Sequence, residues 1–132
     1  MEEIILLDTD VIFDFFAGSK NADLTEEILL NSQAAISVIT VFELFNGVVN
    51  KTHIRQRKEI ITYCEVIDIN GSIAIKASSI YTDLKQKGQL IPNEDILIAA
   101  TALHKKYPLF SLNKKHYMRV KNILFFQNDS NI

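Results

Sequence analysis

The N-terminal stretch Ile4-Ile5-Leu6-Leu7-Asp8 joins four consecutive apolar residues to one acidic residue. An uninterrupted apolar run of this length is typical of a strand that is buried on both faces of a parallel sheet. Asp8 is then expected at the carboxyl end of that strand. Apolar residues recur at helical spacing immediately afterwards, up to Gly18, and predict a short helix over residues 10–17.

The same alternation of strands and helices continues along the chain. Further strands are predicted over residues 34–38, 65–69, 109–111 and 123–126. Further helices are predicted over residues 24–30, from Thr40 onwards, and over 53–63, 72–87 and 92–104. The apolar face assigned to the helix over 72–87 comprises Ile73, Ile75, Ala77, Ile80, Tyr81 and Leu84. This order predicts one three-layer α/β/α domain over residues 1–132, with a central, mainly parallel sheet of four or five strands.

Composition limits the class of protein. The chain has 132 residues, of which 48% are hydrophobic, and this is enough for the core of one domain. Its net charge of −2 is unlike that of a strongly basic nucleic-acid binder. Basic residues nevertheless form two local clusters, which are Lys51, Arg55, Arg57 and Lys58, and Lys105, Lys106, Lys114, Lys115, Arg119 and Lys121. The single cysteine, Cys64, excludes an internal disulfide and a cysteine-based zinc site.

No export or membrane signal is recognisable in the sequence. The chain begins Met1-Glu2-Glu3 and lacks the basic segment and long apolar core of a signal peptide. It also lacks a run of about 18 apolar residues that would span a bilayer. We therefore expect a soluble, cytoplasmic protein without a membrane partner.

Three acidic residues fall where a parallel sheet places its ligand site, outside the carboxyl ends of the strands. Asp8 follows the first predicted strand, Glu43 follows the second, and Asp95 lies near the start of the helix over 92–104. Carboxylate oxygens are ligands suited to Mg²⁺ or Mn²⁺. Such an ion activates water and neutralises charge on a scissile phosphate, so the pattern predicts metal-dependent phosphodiester hydrolysis.

These acidic residues also have ordinary structural interpretations. An Asp after a strand often caps a helix, and Thr40 with Glu43 matches a capping box. Glu43 and Asp95, however, lie in strongly apolar segments, where an unpaired carboxylate is costly. We therefore predict that Asp8, Glu43 and Asp95 are catalytic and bind metal. Thr9 is predicted to orient Asp8 or a metal-bound water, and Asp10 to take part as a helix cap.

Four segments carry a resemblance to a known family. They are Leu7-Asp8-Thr9-Asp10-Val11-Ile12, Ser37-Val38-Ile39-Thr40-Val41-Phe42-Glu43-Leu44 with Gly47, Asp95-Ile96-Leu97-Ile98-Ala99-Ala100-Thr101-Ala102, and Ser111-Leu112-Asn113. In this order and spacing they resemble the PIN-domain family, and within it the VapC-type toxins, over nearly the whole chain. The resemblance implies a homodimeric, Mg²⁺- or Mn²⁺-dependent endoribonuclease, the toxin of a VapBC-type toxin-antitoxin pair. It also implies an antitoxin whose C-terminal segment covers the acidic site.

The resemblance carries over the three acids as metal ligands and places a fourth acidic position at or just after Ser111-Leu112-Asn113. No Asp or Glu occurs between Asn113 and Arg119, so Asn113 is the expected occupant and His116 the second candidate. Because an amide oxygen is a neutral ligand, we expect one firmly held ion and a second that arrives only with RNA.

The basic residues nearest in sequence to this fourth position are candidates for binding RNA phosphates. They are Lys114, Lys115 and Arg119. Five phenylalanines in the first third of the chain either fill the core or offer an apolar surface to a second copy or an antitoxin. They are Phe13, Phe15, Phe16, Phe42 and Phe45.

Other functions remain open at this point. The neutral fourth position is compatible with a catalytically weak or inactive PIN-like module that binds RNA or protein. A phosphoacceptor receiver domain also gathers acids around Mg²⁺, but it leaves Glu43 and Asp95 unexplained. A DNA-directed relative of the flap-type nucleases would, as the resemblance implies, be a much longer chain.

Overall fold

The computed structural model describes residues 3–128 and shows the predicted α/β fold. The strands within these residues are β1 (Ile5–Leu7), β2 (Ala34–Ser37), β3 (Cys64–Ile67) and β4 (Leu109–Phe110). The helices are α1 (Thr9–Phe16), α2 (Ala22–Leu30), α3 (Val38–Phe45), α4 (Lys51–Ile61), α5 (Gly71–Gln86), α6 (Asn93–Lys105) and α7 (Lys114–Tyr117). Most of these elements begin and end within a few residues of the predicted positions.

The four strands form one parallel sheet in the order β3-β2-β1-β4. Ile5 pairs with Ala34 of β2, and Leu7 pairs with Phe110 of β4, so β1 lies between its two neighbours. Since all four strands are parallel, their carboxyl ends meet at one edge of the sheet. The chain leaves this edge through the residues that follow β1, β2 and β4, and these residues form the site described below.

Helices cover both faces of the sheet, which accounts for the continuous apolar character of β1. Leu6 packs into the core shared with α5 and α6, whereas Ile5 and Leu7 pack into a second core with α1, α2 and α3. All three side chains are at most 1% exposed. Burying one such side chain completely contributes roughly 1.5–3 kcal/mol. The three-layer architecture is therefore confirmed.

The predicted strand over residues 123–126 is wrong. This segment makes one isolated bridge, between Leu109 and Phe125, and Leu124 is 61% exposed. The apolar run resembles a strand in sequence, but β4 has only two residues and offers no longer partner. Helix α7 was not predicted, because its four residues are too few to show a helical period.

Several apolar residues are more exposed than their sequence pattern suggested. Ile75 is 71% exposed and Tyr81 is 38% exposed, so the buried face of α5 is narrower than predicted. Phe13 and Phe42 are 39% and 63% exposed, and the interpretation in which all five phenylalanines fill the core is wrong. No helix within residues 3–128 has the length and apolar character needed to cross a bilayer.

Candidate active site

Asp8 is the link between β1 and α1. It has extended backbone angles and caps α1, because its Oδ1 atom accepts a hydrogen bond of 2.8 Å from the Thr9 amide. Its Oδ2 atom accepts a hydrogen bond of 2.7 Å from the Ser111 hydroxyl, at the end of β4. Asp8 is only 6% exposed, so these two donors hold its carboxylate in one orientation beneath the edge of the sheet.

Glu43 reaches the same edge from α3. The Thr9 hydroxyl donates a hydrogen bond of 2.7 Å to Glu43 Oε1 and lies 2.9 Å from the Thr40 hydroxyl. Thr9 was expected to orient Asp8 or a water. Its backbone orients Asp8, while its hydroxyl orients Glu43. We call the group of Asp8, Thr9, Thr40, Glu43 and Ser111 the Asp8 half of the site.

The predicted capping box of Thr40 and Glu43 is wrong. Strand β2 ends at Ser37, whose hydroxyl accepts a hydrogen bond of 3.0 Å from the Ile39 amide and so caps α3. Helix α3 therefore begins at Val38, and Glu43 falls in its second turn, beyond the reach of a capping interaction. This shift leaves the Glu43 carboxylate available to the site.

Asp95 lies in the first turn of α6. Its Oδ2 atom is 2.9 Å from Nδ1 of His116, which is itself 2.8 Å from the side-chain nitrogen of Asn113. Nδ1 donates to Asp95 when it carries the proton and accepts from the Asn113 amide when it does not, so only one of the two contacts is a hydrogen bond at a time. We call Asp95, Asn113 and His116 the Asp95 corner. Both candidates for the fourth position thus lie beside Asp95.

Ser111 connects the Asp95 corner to the Asp8 half. Its hydroxyl donates to Asp8 and accepts a hydrogen bond of 2.9 Å from the Asn113 amide. The residue is only 3% exposed, so the connection is shielded from water. A displacement of the segment after β4 would therefore change the hydrogen bond between Ser111 and the Asp8 carboxylate.

Asp10 lies in the first turn of α1 and is not its cap, so that part of the prediction is wrong. Its Oδ1 atom accepts a weak hydrogen bond of 3.3 Å from the Leu112 amide. Burial raises its pKa, and the carboxylates of Asp95 and Asp14 add to the effect. Asp10 therefore contributes negative charge to the edge and helps to hold the segment after β4.

Negative charge accumulates around Asp8. Burial is the largest cause that raises its pKa from 3.8 to about 6, followed by the nearby carboxylate of Asp10. The hydrogen bonds from Ser111 and Thr9 lower the pKa, and the charge of Asp95 raises it again. The hydrogen-bond donors within the site thus do not fully offset the cost of keeping the Asp8 carboxylate ionised. A bound cation would offset that cost.

The donor set fits a hard divalent cation in its chemistry, since the edge offers carboxylate oxygens and unbalanced negative charge. Within residues 3–128, however, no three Asp, Glu, His or Cys side chains form by themselves a group that could hold a metal ion. Mg²⁺ ordinarily binds through one or two carboxylates and keeps several waters. Asp8, Glu43 and Asp95 remain the predicted ligands on this basis.

The three basic residues predicted to bind RNA phosphates differ in the contacts that they make within the protein. Arg119 donates to the carbonyl oxygen of Leu90 at 3.1 Å, and so holds the loop between α5 and α6. The Lys114 ammonium lies 5.7 Å from the ring centroid of Phe125. Within residues 3–128 the ammonium of Lys115 makes no hydrogen bond or ion pair, and the residue is exposed. Lys115 is therefore the candidate that is most available to a phosphate.

Three residues of the site were not assigned a role from sequence. Ser111 was quoted only as part of a matching segment, Thr40 was considered only as a helix cap, and Tyr117 was not singled out. Ser111 is the last residue of the predicted fourth strand, and its position at that carboxyl end is a signal that could have marked it. Thr40 and Tyr117 lie within helices, and only their packing brings them to the edge.

Comparison with known proteins identifies close relatives. A family model described as PIN domain matches residues 5–122. Ribonuclease VapC1 of Methanocaldococcus jannaschii is 37% identical over 120 residues, which cover 91% of this chain and 83% of that protein. Ribonuclease VapC2 of Rickettsia felis is 30% identical over 129 residues, which cover 92% of this chain and 95% of that protein.

A solved structure has the same fold. It is the VapBC2 complex of Rickettsia felis bound to a DNA fragment from its promoter, and one of its chains matches with a TM-score of 0.80 and 26% identity. The match covers 96% of this chain and 99% of that chain. The span of the family model includes all four segments on which the sequence resemblance rested, from Leu7 to Asn113. The chain belongs to the PIN-domain family.

Proposed function

We propose that the chain is a divalent-metal-dependent endoribonuclease, the toxin of a VapBC-type toxin-antitoxin pair. The observation that carries this proposal is the buried Asp8 carboxylate, whose pKa is raised to about 6 in the company of Asp10 and Asp95. Perturbed carboxylates that gather at the carboxyl edge of a parallel sheet are typical of a catalytic site. Two relatives of at least 30% identity bear the name ribonuclease, which supports RNA as the substrate.

Asp8, Glu43 and Asp95 are the residues that would hold Mg²⁺ or Mn²⁺. When bound, such an ion activates water as the nucleophile and neutralises charge on the scissile phosphate. Thr9 and Ser111 keep two of these carboxylates oriented through hydrogen bonds of 2.7 Å to Glu43 and to Asp8. The orientation is present before any ligand binds, so no reorganisation is needed at the moment of reaction.

RNA would approach through the segment after β4. Lys114, Lys115 and Arg119 lie within or next to α7, which follows the strand end that carries Ser111. Their charges would bind phosphates without reading the base sequence, and they would attract a polyanion to the acidic edge. We also propose that the protein acts in the cytoplasm, where it would meet cellular RNA.

The proposal includes a cognate antitoxin and a homodimer. The solved structure from Rickettsia felis described above is of a complex, VapBC2, rather than of an isolated chain. Phe13 and Phe42 are exposed here, and the Arg57 guanidinium lies 5.2 Å from the centroid of the Phe13 ring. Exposed aromatic and arginine side chains are enriched at protein interfaces. These residues therefore offer a surface to a partner chain.

The test is cleavage of a mixed cellular RNA pool by the purified protein with Mg²⁺, with Mn²⁺ and with EDTA. Asp8→Asn and Asp95→Asn are compared with Glu94→Gln, an exposed acid that directly precedes Asp95. We expect cleavage that requires the metal, that both Asp variants lose by roughly 100-fold or more, and that the Glu94 variant retains. Cleavage that survives in both Asp variants would contradict this site.

A second function is favoured by one observation. The Asp95 corner contains an amide and an imidazole, Asn113 and His116, where a carboxylate would hold a second ion. This composition suits a catalytically weak or inactive PIN-like module that binds RNA or protein. Folded protein that cuts no RNA with any divalent ion, yet binds RNA in the presence of EDTA, would establish the module in place of the enzyme.

A further inference from the structure

The Tyr117 hydroxyl is a buried polar group that the proposed function does not use. Tyr117 is 0% exposed and packs in the same core as Leu6, Ala99 and Leu109. Its oxygen has no hydrogen-bond partner of ordinary geometry within residues 3–128. A phenylalanine would fill the same space without a polar atom, and a buried hydroxyl without a partner costs stability. The presence of a tyrosine rather than a phenylalanine at this buried position therefore needs a physical explanation.

Tyr117 packs against the face of the sheet that carries Leu6, and Asp8 follows Leu6 by two residues with extended backbone angles, so the side chain of Asp8 lies on the same face. After burial itself, the charge of Asp8 is the largest cause that raises the pKa of Tyr117, and the charges of Asp95 and Asp10 add to it. A phenol is protonated at neutral pH, so toward an ionised carboxylate it can only donate. It is close enough to Asp8 for this influence, although it makes no hydrogen bond of ordinary length and angle to it.

Asp8 has unused capacity to accept such a bond. Its two oxygens accept one hydrogen bond each, from the Thr9 amide and from the Ser111 hydroxyl. An ionised carboxylate has about four acceptor sites. Both existing donors come from the segments that border β1 and β4, whereas Tyr117 belongs to α7. Its hydroxyl would therefore approach Asp8 from an element that neither of the other donors occupies.

We propose that Tyr117 is a positioning residue of the nuclease site, whose buried hydroxyl serves as a further donor to Asp8 and so strengthens the hold of Asp8 on a divalent cation. This inference rests on the proposed function. A third donor restricts the rotation of the carboxylate and leaves its outward acceptor sites for the ion. Hydrogen-bond partners of ligating carboxylates commonly affect metal affinity by one to two orders of magnitude.

The first experiment measures Mn²⁺ affinity in the absence of RNA, by isothermal titration calorimetry. Tyr117→Phe removes only the hydroxyl and keeps the ring in the core. The control is Tyr107→Phe, which removes a hydroxyl that donates to Glu65 at 2.9 Å, outside the acidic site. We expect the Kd for Mn²⁺ to rise roughly tenfold or more in the Tyr117 variant and to stay unchanged in the control. Unchanged affinity in Tyr117→Phe overturns the inference.

The second experiment tests the contact between Tyr117 and Asp8 without any metal. Urea unfolding of EDTA-treated protein is measured for Tyr117→Phe, for Asp8→Asn and for the double variant. We expect the Tyr117 substitution to have a different effect on the unfolding midpoint in the Asp8→Asn background than in the natural sequence, because the two groups interact. Strict additivity overturns the inference.

The two failures are distinguishable. If the unsubstituted protein binds no Mn²⁺, the metal-dependent function fails, and this inference fails with it. If the unsubstituted protein binds Mn²⁺ and cuts RNA while the double-variant cycle is additive, the proposed function stands and only the role of Tyr117 is overturned.

Discussion

The Asp8 half and the Asp95 corner hold their carboxylates in different ways. Asp8 is 6% exposed and accepts hydrogen bonds on both oxygens, from Thr9 and Ser111. The Asp95 side chain is 20% exposed, and its one side-chain partner within residues 3–128 is the His116 ring, which is 31% exposed. Burial makes interactions in the Asp8 half stronger and the loss of a partner more costly, whereas water screens the Asp95 corner.

The difference teaches where substitution should affect folding and where it should affect only the ligand. The Asp8 half is oriented in advance by neutral donors, and no basic side chain among residues 3–128 forms an ion pair with its carboxylates. Changes there should alter both stability and activity. Lys114 and Lys115 lie between Asn113 and His116 of the Asp95 corner, so changes there should mainly alter how the site binds a substrate or a further ion.

The largest expected effect concerns the pH dependence of stability in the metal-free protein. The pKa of Asp8 is about 6 when folded and 3.8 in the reference state, so the folded protein binds the proton more tightly than the unfolded chain. The stability contributed by this proton is fully present below about pH 4 and is lost as pH rises through 6. The loss amounts to roughly 3 kcal/mol, since one pKa unit corresponds to about 1.4 kcal/mol.

Urea unfolding of EDTA-treated protein at pH values from 4 to 7.5 measures this effect. The difference between the natural sequence and Asp8→Asn isolates it, because the other titrating groups largely cancel. We expect Asp8→Asn to gain stability relative to the natural sequence across this interval. If the free energy of unfolding had the same pH dependence in both proteins, burial would not raise the pKa of Asp8. The proposed difference between the Asp8 half and the Asp95 corner would then be wrong.

A smaller effect is expected from Thr9→Val. The substitution removes the hydroxyl that donates to Glu43 at 2.7 Å and contacts Thr40 at 2.9 Å. We expect a loss of about 1–3 kcal/mol in the free energy of unfolding, because Thr40 keeps a buried hydroxyl without a partner. RNA cleavage should fall roughly 10- to 100-fold, as is usual when the partner of a ligating carboxylate is removed.

Thr25→Val is the matched control for this substitution. Thr25 is fully buried, but its hydroxyl has no hydrogen-bond partner within the part of the chain that the structure describes. The control should therefore leave stability unchanged or raise it, and should leave cleavage unchanged. Equal losses in the two variants would mean that the connection from Thr9 to Glu43 has no special importance.

The smallest effect is expected in the Asp95 corner, from His116→Ala. The contact of 2.9 Å between His116 and Asp95 is partly exposed, and such pairs contribute about 0.2–1 kcal/mol. Unfolding in urea should show a change within this range, while cleavage falls by a few-fold. His53→Ala, at an exposed position on α4, is the control. A loss comparable to that of Thr9→Val would show that both regions are equally constrained.

Sequence analysis predicted well those elements whose local pattern matches their final environment. The apolar run before Asp8 became a strand buried on both faces, and the four segments of the family resemblance lie in the matched span. It failed where an environment is created by other parts of the chain. Residues 123–126 are as apolar as β1, yet they meet only two residues of β4 and form a single bridge.

The same reason explains the errors at the candidate site. Thr40 and Glu43 have the spacing of a capping box, but the end of β2 at Ser37 starts α3 earlier and places both residues inside the helix. Local sequence offers two acceptable starts for this helix. The parallel pairing of β2 with β1 and β3 decides between them, since Ser37 is paired with Ile67 in the sheet.

By itself, the sequence determined the class of the fold and the acids that follow β1, β2 and the start of α6, because both depend on periodicity and on order along the chain. Only the tertiary structure decided which neutral groups serve those acids. Ser111 donates to Asp8 across 103 positions of sequence, and Thr9 donates to Glu43 across 34. A hydrogen bond depends on a few ångströms in space, and sequence separation carries no information about that distance until the sheet has brought the strand ends together.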